Sequence, residues 1–220
     1  MSGNRLPNEA HLPVESLSEA LGDVQRIAFD LDGTVYDTRD FERPALAAVA
    51  EWLRTKSGSQ LPGLPQRFWA RRETSRHRAG LFDDLLVEYG LPAAWGRECL
   101  RRFHEYPAHE LKQADSLRGF LGDLRARGSR LALVSNGPAA LQMRKSDSLG
   151  LAGIFDACIY CSPDSPERQK PSAWAWSQLT EWRAELPTAY VGDDPADERF
   201  AESGGARFVP FRFRSRKYED

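Results

Sequence analysis

Several features that define other classes of protein are scarce or missing in this sequence. Its 220 residues include only three cysteines, an odd number and too few for a disulfide framework. No apolar run approaches the ~20 residues of a membrane-spanning helix, and residues 1–15 lack the apolar stretch of a signal peptide. The formal net charge of −2 creates no general basic field for nucleic acid. These absences predict a cytoplasmic protein with neither a membrane nor nucleic acid as a partner.

Most of the chain carries the pattern of a globular protein with a buried sheet. Hydrophobic residues make up 41% of the sequence and charged residues 28%. Its short apolar runs are continuous, which is typical of parallel strands buried on both faces. Helical patterns alternate with the later runs, and this predicts an α/β domain with a Rossmann-like parallel sheet. The predicted strands are 26–31, 130–135, 157–161, 189–192 and 206–211, and the predicted helices are 116–127, 138–149, 172–183 and 195–203.

One interval interrupts this alternation. About 75 residues separate the first strand from the next strand–helix unit, far too many for a connecting loop. Their apolar spacing predicts a group of helices instead. The predicted helices are 44–55, 64–78, 81–89 and 92–106. We therefore expect an α/β core domain (23–37 and 113–220) with an inserted all-α domain (38–112), preceded by a tail or short added helix (1–22).

The segment Asp30-Leu31-Asp32-Gly33-Thr34 follows the first predicted strand. Ligands bind at the carboxyl ends of strands in open α/β sheets, so both acids stand where a site is expected. Carboxylates two residues apart can reach one small volume, and Gly33 permits a sharp turn directly after them. Because two buried acids repel each other, the pair favours a bound divalent cation.

Three further groups of polar residues stand at matching places. Ser135 and Asn136 end the second predicted strand, where a hydroxyl and backbone N–H groups form an anion site. Lys170 precedes a predicted helix and offers a cation to a phosphate. Asp193 and Asp194 follow the fourth strand. Each group alone is also typical of a turn, a helix cap or a solvated side chain, but those interpretations do not explain their common order at strand ends.

The ordered set Asp-x-Asp-Gly-Thr, Ser-Asn-Gly, Lys-Pro and Gly-Asp-Asp resembles the motifs of the haloacid dehalogenase-like (HAD) hydrolase superfamily. The likeness extends from Arg26 to Phe211, and the helical interval resembles the type 1 cap of that family. The resemblance implies a HAD-like fold and a Mg²⁺-dependent phosphohydrolase that forms an aspartyl-phosphate. It also implies a small phosphomonoester as the substrate, either a phosphorylated metabolite or a nucleotide-like compound.

The resemblance further implies a role for each motif residue. Asp30 is the expected nucleophile and Asp32 the expected general acid and base. Mg²⁺ is expected on the Asp30 side chain, the Asp32 backbone carbonyl and Asp193, because it prefers hard oxygen ligands. The expected phosphate-binding residues are Thr34, Ser135, Asn136 through its backbone, and Lys170. The family usually has one more acid shortly after the position of Asp193, and the candidates are Asp194, Asp197 and Glu198.

Asp32 separates the branches of this superfamily. Members that cleave carbon–halogen bonds lack an acid at this position, because a halide leaves without a proton, whereas an alkoxide leaving a phosphate ester needs one. The sequence therefore favours a phosphatase. Two alternatives stay open. One is a phosphomutase, which uses the same acids but passes the phosphoryl group to a second substrate, and the other is a non-catalytic binding protein on the same fold.

The inserted domain is where substrate choice is expected, because the caps of similar proteins close over their sites. Its segment 67–78 is conspicuously basic, and it is either a recognition surface for a second anionic group or a solvated helix face. The basic and aromatic segment 211–217 is expected to be a fraying tail, with contact to nucleic acid or lipid as the alternative. No pattern in the sequence indicates an oligomeric state.

Overall fold

The computed structural model describes residues 13–74, 80–109, 111–179, 182 and 186–218. The strands in this part of the chain are β1 (Arg26–Phe29), β2 (Arg130–Asn136), β3 (Ala157–Cys161), β4 (Thr188–Gly192) and β5 (Arg207–Pro210). They form one parallel sheet in the order β3-β2-β1-β4-β5. The predicted α/β fold with a parallel sheet is confirmed, and each strand lies close to its expected position.

The central strand β1 determines what meets at the carboxyl edge of the sheet. Phe29, its last residue, lies opposite Leu133 of β2 on one side and Val191 of β4 on the other. All three side chains are almost completely buried, which explains why these runs of sequence are continuously apolar. The residues at the ends of β1, β2 and β4 therefore converge on one edge.

The helices lie between and before these strands. In chain order they are α1 (Val14–Leu21), α2 (Arg39–Ser57), α3 (Leu64–Thr74), α4 (Leu81–Glu88), α5 (Gly96–Glu105), α6 (Asp115–Ala126), α7 (Ala139–Ser148), α8 (Trp174–Gln178) and α9 (Pro195–Ser203). Short 3₁₀ helices cover Ala93–Trp95, Pro166–Arg168 and Arg216–Tyr218. Over the described ranges, no helix combines the length and the hydropathy that crossing a bilayer requires.

The chain folds into two compact units. The first, here called the sheet unit, consists of the residues up to Asp37 and from Leu111 onward. The second, here called the helical unit, is Thr38–Glu110 and contains α2, α3, α4 and α5. That the helical unit serves as a cap stays a prediction.

Two of the predicted elements lie only partly within the described residues. In the predicted tail 1–22, α1 buries Leu17 and Leu21 and contacts α6, so this stretch is a packed helix. Residues 1–12 lie outside the described part of the chain. The predicted helix 64–78 is described as α3 up to Thr74, and residues 75–79 also lie outside it.

The predicted helix 172–183 is wrong in its extent over the described residues, because α8 covers only Trp174–Gln178; residues 180, 181 and 183 lie outside the described part of the chain. Leu179 leaves helical geometry with a ψ of 58° and is buried. Trp176 stacks on Phe200 with the ring centroids 4.7 Å apart, and its indole N–H donates to the Phe200 carbonyl at 2.8 Å. Packing of these side chains into the core overrides the local helical pattern.

Aromatic side chains form the interior of the helical unit. Phe41 and Phe103 pack edge to face with their centroids 5.5 Å apart, and Phe68 and Phe82 do the same at 5.4 Å. All four are buried. Edge-to-face pairs add to the energy of apolar burial, so these rings provide a core for a small group of helices.

The basic face of α3 is engaged in ion pairs within the helical unit. Arg67 and Arg71 both pair with Glu88, the latter at 2.8 Å, and Arg72 pairs with Glu42 at 2.8 Å. The side chains of Arg67 and Arg71 are 57% and 40% exposed, so solvent screens their pairs. These contacts indicate that the described arginines of the basic segment form a structural helix face.

Candidate active site

The chain turns sharply after β1 and leaves Asp30 at the carboxyl edge of the sheet. The backbone N–H of Asp30 donates to the Val191 carbonyl at 2.9 Å, which continues the pairing with β4 by one residue. Gly33 has a φ of +85°, and a Cβ at this position would lie 2.6 Å from Oδ2 of Asp193. Glycine satisfies both the left-handed conformation and the close approach. The turn thus brings the loop after β1 against the end of β4.

Asp30 and Lys170 form a buried ion pair at this edge. Lys170 Nζ lies 2.6 Å from Asp30 Oδ1 and 2.6 Å from Asp197 Oδ1, and it donates to the Tyr190 hydroxyl at 2.9 Å. The Tyr190 hydroxyl donates to the Val134 carbonyl at 2.9 Å. The Lys170 and Asp30 side chains are 4% and 8% exposed, so their charges interact with little screening.

Burial and neighbouring charges shift the proton affinities of this pair. Burial raises the pKa of Asp30 well above its ordinary value; Lys170 opposes the shift, and nearby carboxylates, foremost Asp197, add to it. Burial by itself would lower the pKa of Lys170, but Asp197 and Asp30 outweigh it, and the pKa is raised well above its ordinary value. Lys170 therefore stays a cation, while Asp30 sits in a surplus of negative charge.

Three carboxylates at this edge could hold a metal ion together. One oxygen from each of Asp30, Asp193 and Asp197 lies within 4.8 Å of the other two. Burial raises the pKa of Asp193 to about 6, against the opposing effect of Arg212, whose Nε donates to Asp193 Oδ2 at 2.7 Å. Oxygen donors in a buried site with surplus negative charge fit a hard divalent cation such as Mg²⁺.

Of the three candidates for the further acid, Asp197 is the one that the fold brings into this cluster. It is 1% exposed, its Oδ2 accepts the backbone N–H groups of Asp193 and Asp194 at 3.1 Å, and its Oδ1 contacts Lys170. Asp194 is exposed and caps α9, where its side chain accepts a backbone N–H at 2.8 Å. Glu198 is exposed as well.

Asp32 has partners of its own. The Tyr36 hydroxyl donates to Asp32 Oδ1 at 2.5 Å, and Lys145 Nζ lies 2.6 Å from the same oxygen. Gln142 Nε2 donates to Asp32 Oδ2 at 2.7 Å. The Asp32 carboxylate is not one of the three that cluster as candidate metal ligands. The metal contact expected of its backbone carbonyl stays a prediction.

The expected phosphate-binding residues differ in how they are engaged. The Thr34 hydroxyl is buried and has no hydrogen-bond partner among the described residues, so it is available to a ligand. The Ser135 hydroxyl accepts from Gln142 Nε2 at 2.7 Å and keeps its own proton to donate. The Asn136 side chain exchanges two hydrogen bonds, of 3.1 and 2.8 Å, with the Lys170 backbone. Asn136 thus fixes Lys170, and the anion contact expected of its backbone stays a prediction.

Among the described residues, five side chains at this edge escape prediction from the sequence: Tyr36, Gln142, Lys145, Tyr190 and Arg212. Gln142 and Lys145 are three residues apart on α7 and therefore share a helix face, which is the one signal that could have revealed them. Tyr190 lies in an apolar run and has the pattern of an ordinary core residue. Burial of polar atoms beside the predicted motifs becomes visible only in three dimensions.

The segment after β5 is not the fraying tail that the sequence predicts. The backbone N–H of Phe213 donates to the Gly33 carbonyl at 2.7 Å, and that of Ser215 donates to Asp37 Oδ2 at 2.8 Å. The segment therefore runs along the loop that follows β1, and this course brings Arg212 to Asp193.

Comparison with known proteins identifies the family of this chain. A family model described as haloacid dehalogenase-like hydrolase matches residues 24–205. The chain belongs to this family. Among curated HAD relatives, the phosphoglycolate phosphatase of Cereibacter sphaeroides is 29% identical over 199 residues, which cover 84% of each chain. The phosphoglycolate phosphatase of Escherichia coli is 27% identical over 210 residues, covering 85% of this chain and 81% of that protein.

A solved structure gives the same fold. The haloacid dehalogenase-like family hydrolase from Streptococcus pneumoniae superposes with a TM-score of 0.58 at 18% identity, covering 84% of this chain and 83% of that one. The matched HAD region includes the residues from Asp30 to Asp197. It therefore contains Lys145, which contacts Asp32, and Lys170, which contacts Asp30, whereas Arg212 lies beyond it.

Proposed function

We propose that this HAD-family hydrolase is a Mg²⁺-dependent phosphatase that acts on a small phosphomonoester through an aspartyl-phosphate on Asp30. The observation that carries the proposal is the buried pairing of Asp30 with Lys170 beside the carboxylates of Asp193 and Asp197. Burying an ion pair gains little stability, because desolvation offsets the Coulomb attraction. A catalytic role explains why the Asp30–Lys170 pair is buried. Asp30 is then a nucleophile that is held beside a fixed cation and a candidate metal site.

In the first half-reaction, an oxygen of Asp30 attacks phosphorus and the bond from phosphorus to the ester oxygen breaks. Lys170 balances the negative charge on the nucleophile and the transferring group. The hydroxyls of Thr34 and Ser135 donate hydrogen bonds to phosphoryl oxygens. Asp32 gives its proton to the leaving alkoxide, so the product departs as an alcohol.

In the second half-reaction, water attacks the phosphorus of the aspartyl-phosphate and Asp32 accepts the proton of that water. Inorganic phosphate leaves and the Asp30 carboxylate is restored. Mg²⁺, held by the Asp30 and Asp193 side chains and the Asp32 backbone carbonyl, would supply the positive charge that lets a carboxylate and a phosphate approach each other. Asp197 keeps Lys170 and the backbone of Asp193 in place.

The substrate class is a small phosphorylated metabolite. The two curated relatives are named phosphoglycolate phosphatases, so 2-phosphoglycolate is the first compound to test. Their identity to this chain supports the reaction class more than one particular ester, and the test therefore needs a wider panel.

The test is inorganic phosphate release from a panel of phosphate esters with and without Mg²⁺. We expect Mg²⁺-dependent release, its loss in Asp30→Asn, and its retention in the matched control Asp123→Asn, which alters an exposed acid on α6. No release from any ester, or full activity of Asp30→Asn, would contradict the proposal. Formation of an isomeric phosphoester without phosphate release would favour a phosphomutase.

A further inference from the structure

Lys145 is a fully buried cation that takes no part in the two half-reactions. Its Nζ lies 2.6 Å from Asp32 Oδ1 and 5.8 Å from the centroid of the Tyr36 ring. Burying an ammonium group is costly, and apolar side chains of similar volume often replace a buried ion pair without loss of stability. Stability therefore does not explain why α7 carries a lysine at this position.

The contacts of the Asp32 carboxylate restrict how it can turn. One oxygen contacts Lys145 and the Tyr36 hydroxyl, and the other contacts the Gln142 amide. These donors come from two separate places, the loop after β1 and the helix α7. Donors on both oxygens oppose rotation of the carboxylate about its last bond, so its plane is fixed relative to the sheet edge.

The same helix also holds a predicted phosphate-binding residue. Gln142 Nε2 lies 2.7 Å from Asp32 Oδ2 and 2.7 Å from Ser135 Oγ. The face of α7 that carries Gln142 and Lys145 therefore links the proposed acid and base to the residue expected to bind the phosphoryl group.

From these contacts we propose that Lys145 is a positioning residue that fixes the Asp32 carboxylate where it can reach the leaving oxygen. The inference rests on the proposed phosphatase reaction. The two lysines of the site then have separate tasks. Lys170 contacts Asp30 and Asp197, whereas Lys145 contacts Asp32. Displacing a reacting group by about 1 Å can reduce a rate by as much as ~10²-fold, so the effect of losing Lys145 is measurable.

The test uses two esters of similar shape that differ in their need for a proton. Phenyl phosphate releases a basic phenolate and depends on the acid, whereas p-nitrophenyl phosphate releases a stable anion and depends on it little. Phosphoenzyme formation is measured in a single turnover of the full chain with Mg²⁺. In Lys145→Met we expect a fall of about 10²-fold with phenyl phosphate and of less than about 5-fold with p-nitrophenyl phosphate.

Three variants separate positioning from structural damage. Lys145→Arg keeps the cation and should recover part of the rate with phenyl phosphate. Ser146→Ala removes a neighbouring buried hydroxyl that contacts Tyr160, and it should change both esters by the same small factor. The double variant Lys145→Met with Asp32→Asn should be no slower than Asp32→Asn alone, because Lys145 acts through Asp32.

The outcomes distinguish this inference from the proposed function. Equal slowing of both esters in Lys145→Met, or additive losses in the double variant, would overturn the positioning role. If Lys145→Met does not fold, as judged by circular dichroism, Lys145→Gln takes its place with the same expectation. If the unmodified protein forms no phosphoenzyme from either ester, the proposed function fails instead.

Discussion

Ion pairs at the carboxyl edge of the sheet are more deeply buried than the pairs that Arg67 and Arg71 form in the helical unit. Lys170 and Lys145 are 4% and 0% exposed, and each contacts a carboxylate of the loop after β1 at 2.6 Å. Arg67 and Arg71 of α3 are about half exposed and pair with acids of the neighbouring helix α4. An exposed pair contributes about 0–1 kcal/mol, whereas a buried one is costly to break.

This difference shows that a high density of charged residues in a sequence is a poor guide to the role of those residues. The basic segment of α3 is the most conspicuous charged run in the chain, yet its described arginines mainly hold helices together. The lysines at the sheet edge belong to no long basic run, and each is placed by the fold beside an acid. Substitutions that break a buried pair at the sheet edge or an exposed pair of α3 measure how much the two kinds of ion pair differ in importance.

The largest effect is expected for Lys170→Met. Asp30 and Asp197 would then face each other without the ammonium, and breaking a buried pair in this way costs about 3–5 kcal/mol. We expect kcat to fall by at least ~10³-fold, because the cation also balances charge in the reaction. Steady-state kinetics and urea unfolding measure the two effects, and unchanged values of both would refute the importance of the pair.

A smaller but more selective effect is expected for the neighbouring acids Asp197 and Asp194. Asp197→Asn weakens the contact to Lys170, so we expect kcat to fall by about 10²-fold. Asp194→Asn keeps a good helix cap, so its stability and kcat should change little. Thermal melts and kinetics of the two variants provide the comparison. Equal losses of activity would mean that the contact of Asp197 with Lys170 has no specific role in the reaction.

The pH dependence of Mg²⁺ affinity depends on Asp193. Burial, opposed by Arg212, raises the pKa of this acid to about 6, and a protonated carboxyl group does not bind the ion. Affinity should therefore fall by at least about tenfold per pH unit well below 6. Isothermal titration calorimetry between pH 5 and 8 tests this, and a constant affinity across that range would contradict it.

The raised pKa of Asp193 also determines how the stability of the protein changes with pH. The folded-state pKa of Asp193 is raised above its unfolded value, so the metal-free protein loses stability as pH rises from about 4 to 6. Mg²⁺ should therefore increase the melting temperature more at pH 8 than at pH 5. Because Arg212 lowers the pKa, Arg212→Gln should move the midpoint of Mg²⁺ binding to higher pH.

The smallest effect is expected for Arg71→Gln in the helical unit. Its pairs with Asp84 and Glu88 are exposed, so the free energy of unfolding should change by less than about 1 kcal/mol. We expect kcat and KM to stay within about twofold of the unmodified values, since the pairs are structural. A tenfold rise in KM would instead assign this basic face to substrate recognition.

The sheet and its strand-end motifs are predictable because their physical signal is local. Continuous apolar runs mark the buried strands, and parallel strands place Asp30, Ser135 and Asp193 at one edge whatever the details of packing. The helical interval is predictable as well, because about 75 residues cannot form a simple connection. The C-terminal end of α8 is not, because the burial of Leu179 and the packing of Trp176 on Phe200 are tertiary contacts.

The partners of the acids are not predictable from the same signals. Lys145 and Gln142 share one face of α7, but the sequence does not indicate that this face is buried at the sheet edge. The choice between Asp194 and Asp197 depends on which residue caps α9 and which points inward. Arg212 reaches Asp193 because the segment after β5 bonds to the loop at Gly33, a contact between distant parts of the sequence.

The most direct test of the central claim is to locate the phosphoryl group on the protein. The full chain is mixed with p-nitrophenyl phosphate and Mg²⁺, quenched in acid within one turnover, and digested for mass spectrometry. We predict a single phosphoryl group on Asp30, absent without Mg²⁺ and absent in Asp30→Asn. A phosphoryl group on another residue, or phosphate release with no phosphoenzyme at any time in the turnover, would contradict the assignment of Asp30 as the nucleophile.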